Sequence, residues 1–216
     1  MATQHISIDP SALGAGVAYE LLVGVIQPRP IALVSTLDAD GGPNLAPFSF
    51  FMAGGTAPPS LVVSITLDGR SGPKDSLANI SARGEFVVNI VERAMAEGMN
   101  ATSYRFPAEF DEWAVAGFTP LASERVAPMR VAQSPVHLEC MLHKIVPHGD
   151  SPGSANYVIG EIVRFHVAEH LWDGERLAGA PETIARLGGD GYLDTGLLDK
   201  FTLPRPTGSS DPSDPT

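Results

Sequence analysis

The chain of 216 residues has one cysteine, few cations and no apolar run of membrane-spanning length. Cys140 alone cannot close an intrachain disulfide, which agrees with a reducing compartment. Fourteen Lys and Arg face 25 Asp and Glu, a formal net charge of −11. Binding to a phosphate backbone demands a basic face, so no nucleic-acid partner is expected, and the acidity reads as solubility. A membrane partner is likewise not expected. The N-terminus also lacks a basic segment followed by an apolar core, so the sequence predicts a cytoplasmic protein. A dinucleotide fingerprint is missing too: Gly14-Ala15-Gly16-Val17-Ala18 has no preceding strand and no third glycine.

What the chain does have is turns and strands. With 22 Gly, 19 Pro and 44% hydrophobic residues it can bury one core in a turn-rich, mainly β architecture with short helices. A single domain over 1–203 is predicted. Residues 204–216, nearly without apolar side chains, read as a disordered tail. Residues 1–20 read as a weakly specified lead-in with a short helix after Asp9-Pro10, and 23–37 as the segment bringing in the first strand. Strand signals cover 31–37, 44–51, 61–67, 85–91, 136–146 and 156–171, with turns at 38–42 and 149–153. Short helices are predicted over 76–83, within 92–104 and over 181–187.

The densest polar stretch is 35–76. Its end carries Arg70, Lys74, Asp75 and Ser76 just before a helix that Asp75 would cap and Gly84 would terminate. A helix N-terminus flanked by cations is a seat for an anion such as phosphate, and an ordinary capped helix with solvated cations is the plainer reading. Arg29, between two prolines, is either a phosphate ligand or solvated. Phe106, Phe110, Trp113 and Phe118 stud an irregular stretch that reads as a lid, a dimer contact or satellite core. Cys140 falls in an alternating strand pattern and reads as a packing residue. His166-Val167-Ala168-Glu169-His170 matches H-x-x-E-H, but it ends a β-rich run. Strand residues four apart lie about 13 Å from each other, so no metal site is expected there.

Taken in order, Pro28 to Phe51 (PRPIALVSTLDADGGPNLAPFSFF), SLVVSI, RSGPKDSLANI and GEFVVNIV resemble the flavin reductase-like family, the similarity running over 21–173. The resemblance implies an FMN-binding split β-barrel, a Greek-key-like antiparallel barrel. By it, Ser35, Thr36, Asn44, Ala46, Pro47, Ser49, Phe50 and Phe51 would flank the flavin ring and ribityl chain. Arg70, Lys74 and Ser76 would hold the phosphate, with Asp75 capping. Arg186 and Tyr192, in an R-x-G-G-x-x-Y type of segment, would approach the flavin or the second substrate. It further implies FMN, or FAD, as cofactor, NADH or NADPH as donor, and a homodimer that supplies reduced flavin to a two-component monooxygenase or another acceptor. A flavin carries the redox chemistry itself, so the lack of an acid pair or triad is consistent with this. An electron carrier without enzymatic activity and a flavin enzyme acting on a small organic substrate remain alternatives.

Overall fold

The computed structural model describes residues 3–69, 72–104, 106–107 and 110–198; Arg70 and the 204–216 tail lie outside the described residues. The chain enters through a 3-10 turn (Pro10–Ala12) and helix α1 (Ala15–Val25), followed by strands β1 (Arg29–Pro30) and β2 (Ala32–Leu37). Strands β3 (Pro43–Phe48), β4 (Phe51–Thr56) and β5 (Pro59–Thr66) precede helix α2 (Asp75–Arg83) and strand β6 (Glu85–Ile90). Helices α3 (Ala96–Ala101) and α4 (Glu112–Ala116) and the short strands β7 (Pro120–Leu121) and β8 (Arg130–Val131) come next. Two long strands, β9 (Val136–His148) and β10 (Ala155–Val167), and two short ones, β11 (Ile184–Arg186) and β12 (Tyr192–Asp194), complete the described chain.

Seven strands form one antiparallel sheet in the order β3-β2-β6-β9-β10-β5-β4, curled so that β3 meets β5. Alternation along β5 shows why the sheet has an inside. Leu61, Val63 and Ile65 are buried while Ser60, Val62 and Ser64 are only half-buried. Those three pack with Phe86, Val88, Cys140 and Val158, and α2 adds Leu77 and Ile80 at helical spacing. Strands β2 and β6 are buried on both faces. Their other side meets a second cluster of Leu33, Leu45, Met95, Met99, Trp113 and Ile184. Cys140 is inside, and burial pushes its thiol pKa well up, as suits a packing residue.

One glycine in this core is sterically required. A Cβ on Gly160 would stand 2.5 Å from Phe86 Cζ and 3.0 Å from Cε1, and Phe86 is itself fully buried. Gly160→Ala is therefore expected to cost about 1–3 kcal/mol, read as a lowered urea midpoint with unchanged slope.

Three local expectations are corrected. The segment from Val23 does not enter a strand directly: helix α1 runs to Val25, and only Val23 in it is buried. Its glycines and β-branched residues weaken the helical signal. The helix predicted over 181–187 is instead strand β11, because Ile184 and Ala185 are buried and the strand pairs with β1, Pro30 opposite Ala185. Asp75 is not the N-cap of α2. Lys74 holds that position, no side chain caps it, and Asp75 is the first helical residue; Gly84 ends the helix at φ 72° as expected. Among the described residues no helix is long and apolar enough to cross a membrane.

Candidate functional site

The β2–β3 hairpin and the N-terminus of α2 meet because both are tied together by polar side chains. Asp38 Oδ1 accepts the N–H groups of Asp40 and Gly42 at 2.9 and 2.6 Å, which shapes the turn. At the far end of α2, Arg83 donates to the carbonyls of Asp38 and Ala39 at 2.6 and 3.2 Å and locks the turn to the helix. Thr36 and Asn44 are cross-strand partners. Asn44 Nδ2 donates to Thr36 Oγ1 at 3.1 Å and to Ser76 Oγ at 2.9 Å, and Asn79 Nδ2 donates to the same Thr36 oxygen at 3.0 Å. Ser76 and Asn79, three apart, share a helix face, so one stripe of α2 is polar where it crosses the hairpin.

This polar knot opens onto a cavity of about 260 Å³. Asn44, Ala46, Pro47, Lys74, Asp75 and Ser76 line it, six of the residues predicted from sequence. Lys74 reaches over it with Nζ 5.8 Å from the centroid of the Phe48 ring, and burial holds its pKa below the ordinary lysine value. A desolvated cation beside an uncapped helix N-terminus is electrostatically unfinished: an anion placed there would satisfy both.

Pro47 and Ser103 carry the cleft into a neighbouring cavity of about 180 Å³ that also takes in Ser49, Asn100, Arg186 and Tyr192. The Arg186 guanidinium lies 4.6 Å from the centroid of the Tyr192 ring, and Tyr192 Oη donates to Asn100 Oδ1 at 3.3 Å. Ser49 in turn borders a third, largely apolar cavity of about 410 Å³ with Phe50, Phe51 and Tyr157. Polar and apolar chambers thus follow one another along β3 and the bend at Ser49 and Phe50 that leads into β4.

Two sequence-predicted residues face elsewhere. Ser35 is buried and its hydroxyl donates to the Met129 carbonyl, so it serves the core. Thr36 is also buried and acts through Asn44. Both sit on a strand covered on its two faces, where alternation carries no signal. Arg29 is neither solvated nor aimed at a phosphate. Its guanidinium is buried and donates to the carbonyls of Val23 (2.7 Å), Ile26 (2.9 Å) and Leu187 (3.0 Å), fastening the end of α1 to the C-terminal segment.

Several lining residues escaped sequence reasoning. Thr102, Ser103, Tyr104 and Glu112 come to the first cavity from beyond α3, and with them Phe106, singled out in the sequence, borders it. Trp113, next to Glu112, is core. The H-x-x-E-H residues are split: His166 stands in β10, while Glu169 and His170 start a 3-10 turn (Glu169–Leu171). His166 Nε2 donates to Glu139 Oε1 at 2.5 Å, and Glu139 is fully buried.

Comparison with known proteins agrees with this architecture. Nitrilotriacetate monooxygenase component B from Bacillus cereus is 33% identical, with 94% of this chain and 100% of that chain covered and a TM-score of 0.87. The 2-nitrobenzoate 2-nitroreductase of Pseudomonas fluorescens is 34% identical over 96% of this chain and 100% of its own, with a TM-score of 0.81. A flavin reductase structure with a split-barrel domain from Shewanella frigidimarina is 23% identical over 94% of this chain and 100% of its own, at a TM-score of 0.77, a likeness of fold. The model of the flavin reductase like domain matches residues 26–180, and on that match the chain belongs to the flavin reductase-like family, with the split-barrel fold.

Proposed function

We propose that this protein binds FMN and works as an NAD(P)H-dependent flavin oxidoreductase that passes electrons to a partner, such as the oxygenase of a two-component system. The observation that carries this is the convergence of Asn44, Lys74, Ser76 and the uncapped start of α2 on one cavity. That set fits a phosphate monoester: a formal cation, the Ser76 hydroxyl, which the Asn44 amide holds in place, and helix N–H groups all favour negative charge. Ala46 and Pro47 offer a flat, apolar wall beyond it, and the chamber at Ser49, Arg186 and Tyr192 continues in the direction a ribityl chain and ring would take. Flavin held there supplies the hydride-accepting redox chemistry, and the protein supplies binding, orientation and exclusion of water.

A homodimer is part of the proposal. On α1 the side chains of Val17, Tyr19, Leu21, Leu22 and Val25, with Ile26 just past its end, are all exposed, an apolar surface without cover among the described residues. Light scattering of the purified protein is expected to give twice the mass of the chain.

A second reading, reduction of a small organic substrate on the bound flavin, is favoured by the apolar cavity of about 410 Å³ at Phe50, Phe51 and Tyr157. Such a cavity has room for an aromatic ring, and a relative at 34% identity is a 2-nitrobenzoate reductase. Anaerobic addition of NADH or NADPH to the FMN-loaded protein separates the readings. Rapid bleaching of the flavin spectrum followed by turnover with free flavin or oxygen supports the reductase. Bleaching that turns over only with a nitroaromatic supports the second reading, and no bleaching by either nucleotide contradicts both.

A further inference from the structure

One carboxyl in the cleft is out of keeping with an anion seat. Glu112, the first residue of α4, lines the same cavity as Lys74 and Ser76 and is only 8% exposed. Its Oε2 is buried and has no hydrogen-bond partner among the described residues. An ionised carboxylate there would pay a desolvation cost that the N–H groups of Glu112 and Leu45 offset only in part, and a phosphate brought to Lys74 would add further negative charge nearby. A protonated carboxyl has no such conflict. Its O–H is a donor, the one kind of group a ligand rich in oxygen acceptors requires.

Resting on the reading of the cleft as an FMN site, we propose that Glu112 binds the cofactor as a neutral carboxylic acid, its carboxyl O–H donating to an acceptor oxygen of FMN. The surroundings favour the neutral form. Burial raises the Glu112 pKa, and the charges of Asp75 and Asp111 raise it further; the N–H groups of Glu112 and Leu45 draw it back only in part. Among the described residues the titratable groups on the elements around it are the following. Asp111 caps its own helix, Glu97 belongs to the packed α3, Asp75 and Lys74 come from the start of α2, and Asp68 and Tyr104 also line the cavity. The nearest cation of that set, Lys74, is the group the phosphate would engage. Glu112 is thus a binding residue that selects for the uncharged or acceptor-rich face of a ligand, and loss of its proton to solvent at high pH would weaken binding.

The test is the FMN dissociation constant of the full chain, by fluorescence titration from about pH 6 to about pH 9, a range in which the phosphate passes from about half to fully dianion identically for every variant. Native protein is compared with Glu112→Gln, which keeps a neutral donor of the same size, and with Glu112→Ala. The affinity of the native protein relative to Glu112→Gln is expected to fall with rising pH, approaching about tenfold per unit once the native carboxyl ionises. Loss of the Lys74 proton acts in the same direction but is common to both proteins and cancels in the ratio. Glu112→Ala is expected to bind about tenfold more weakly than Glu112→Gln at every pH, the worth of a hydrogen bond to a charged or polar acceptor. A ratio independent of pH, or one that rises with pH, overturns the role of Glu112 while leaving the flavin site standing. No FMN binding by the native protein at any pH overturns the flavin reading, and this inference with it.

Discussion

Replacing Lys74 and Ser76 together by alanine is expected to weaken FMN binding about a hundredfold or more, since each removes a charge-assisted or hydroxyl bond worth about 1–3 kcal/mol. The fold should not notice Lys74. Among the described residues its Nζ makes no hydrogen bond or ion pair, and its ring contact to Phe48 is a long one at 5.8 Å. Ser76 is more entangled, because its Oγ accepts from Asn44. Losing it turns Asn44 toward Thr36 alone, so the effects of the two substitutions need not add. Isothermal titration of the double variant reads the loss, and its melting curve separates it from misfolding. Native affinity in a folded double variant would place the phosphate elsewhere.

The largest effect on stability is expected at Glu139, far from the cleft. Its carboxylate is fully buried and accepts the N–H groups of Glu124 (2.9 Å), Arg125 (2.6 Å) and Val126 (3.2 Å) as well as His166 Nε2. One side chain therefore holds the whole bend ahead of β8. Burial alone would push the Glu139 pKa up, but the N–H of Glu124, the His166 side chain and the N–H of Arg125 outweigh it and hold the pKa below the ordinary glutamate value. Glu139→Ala leaves those buried donors without an acceptor and is expected to cost about 3–5 kcal/mol, read as a lowered urea midpoint.

The pH dependence gives a second reading of the same residue. A carboxylate with a depressed pKa in the folded state contributes stability that is complete above its unfolded pKa, near 4.3, and is lost as the pH falls through that value toward the folded one. Native protein should therefore lose stability in mild acid more steeply than Glu139→Gln, which has no charge to lose. Equal slopes for the two proteins would mean that the loop, not its anchor, sets the geometry.

Much of this was legible because the sequence states it locally. The turn at 38–42, the alternating β5, and Gly84 at the end of α2 each follow from residue types acting on their own neighbourhood. By the order of the motifs and their resemblance to a family, Lys74 and Ser76 were expected at a phosphate and Asn44 along the flavin ring and ribityl chain, and the structure brings all three to one cavity. What was not legible depends on distant partners. Ile184 and Ala185 become a strand only because β1 is there to pair with them. Arg29 binds carbonyls on two segments that its own neighbours do not reveal. Glu112 and Glu139 carry no local signal of their places, and only the fold shows one lining the cleft and the other buried under a loop. Asn79 could have been found, since it repeats Ser76 one helical turn later.

That the cleft at Asn44, Lys74 and Ser76 recognises a phosphate is tested most directly by comparing FMN with riboflavin. The two share ring and ribityl chain and differ only in the group that the start of α2 would hold. The account predicts that the native protein binds FMN at least tenfold more tightly than riboflavin, the difference expected of one bond to a charged group, and that Lys74→Ala narrows the gap. Equal affinity for the two would contradict it.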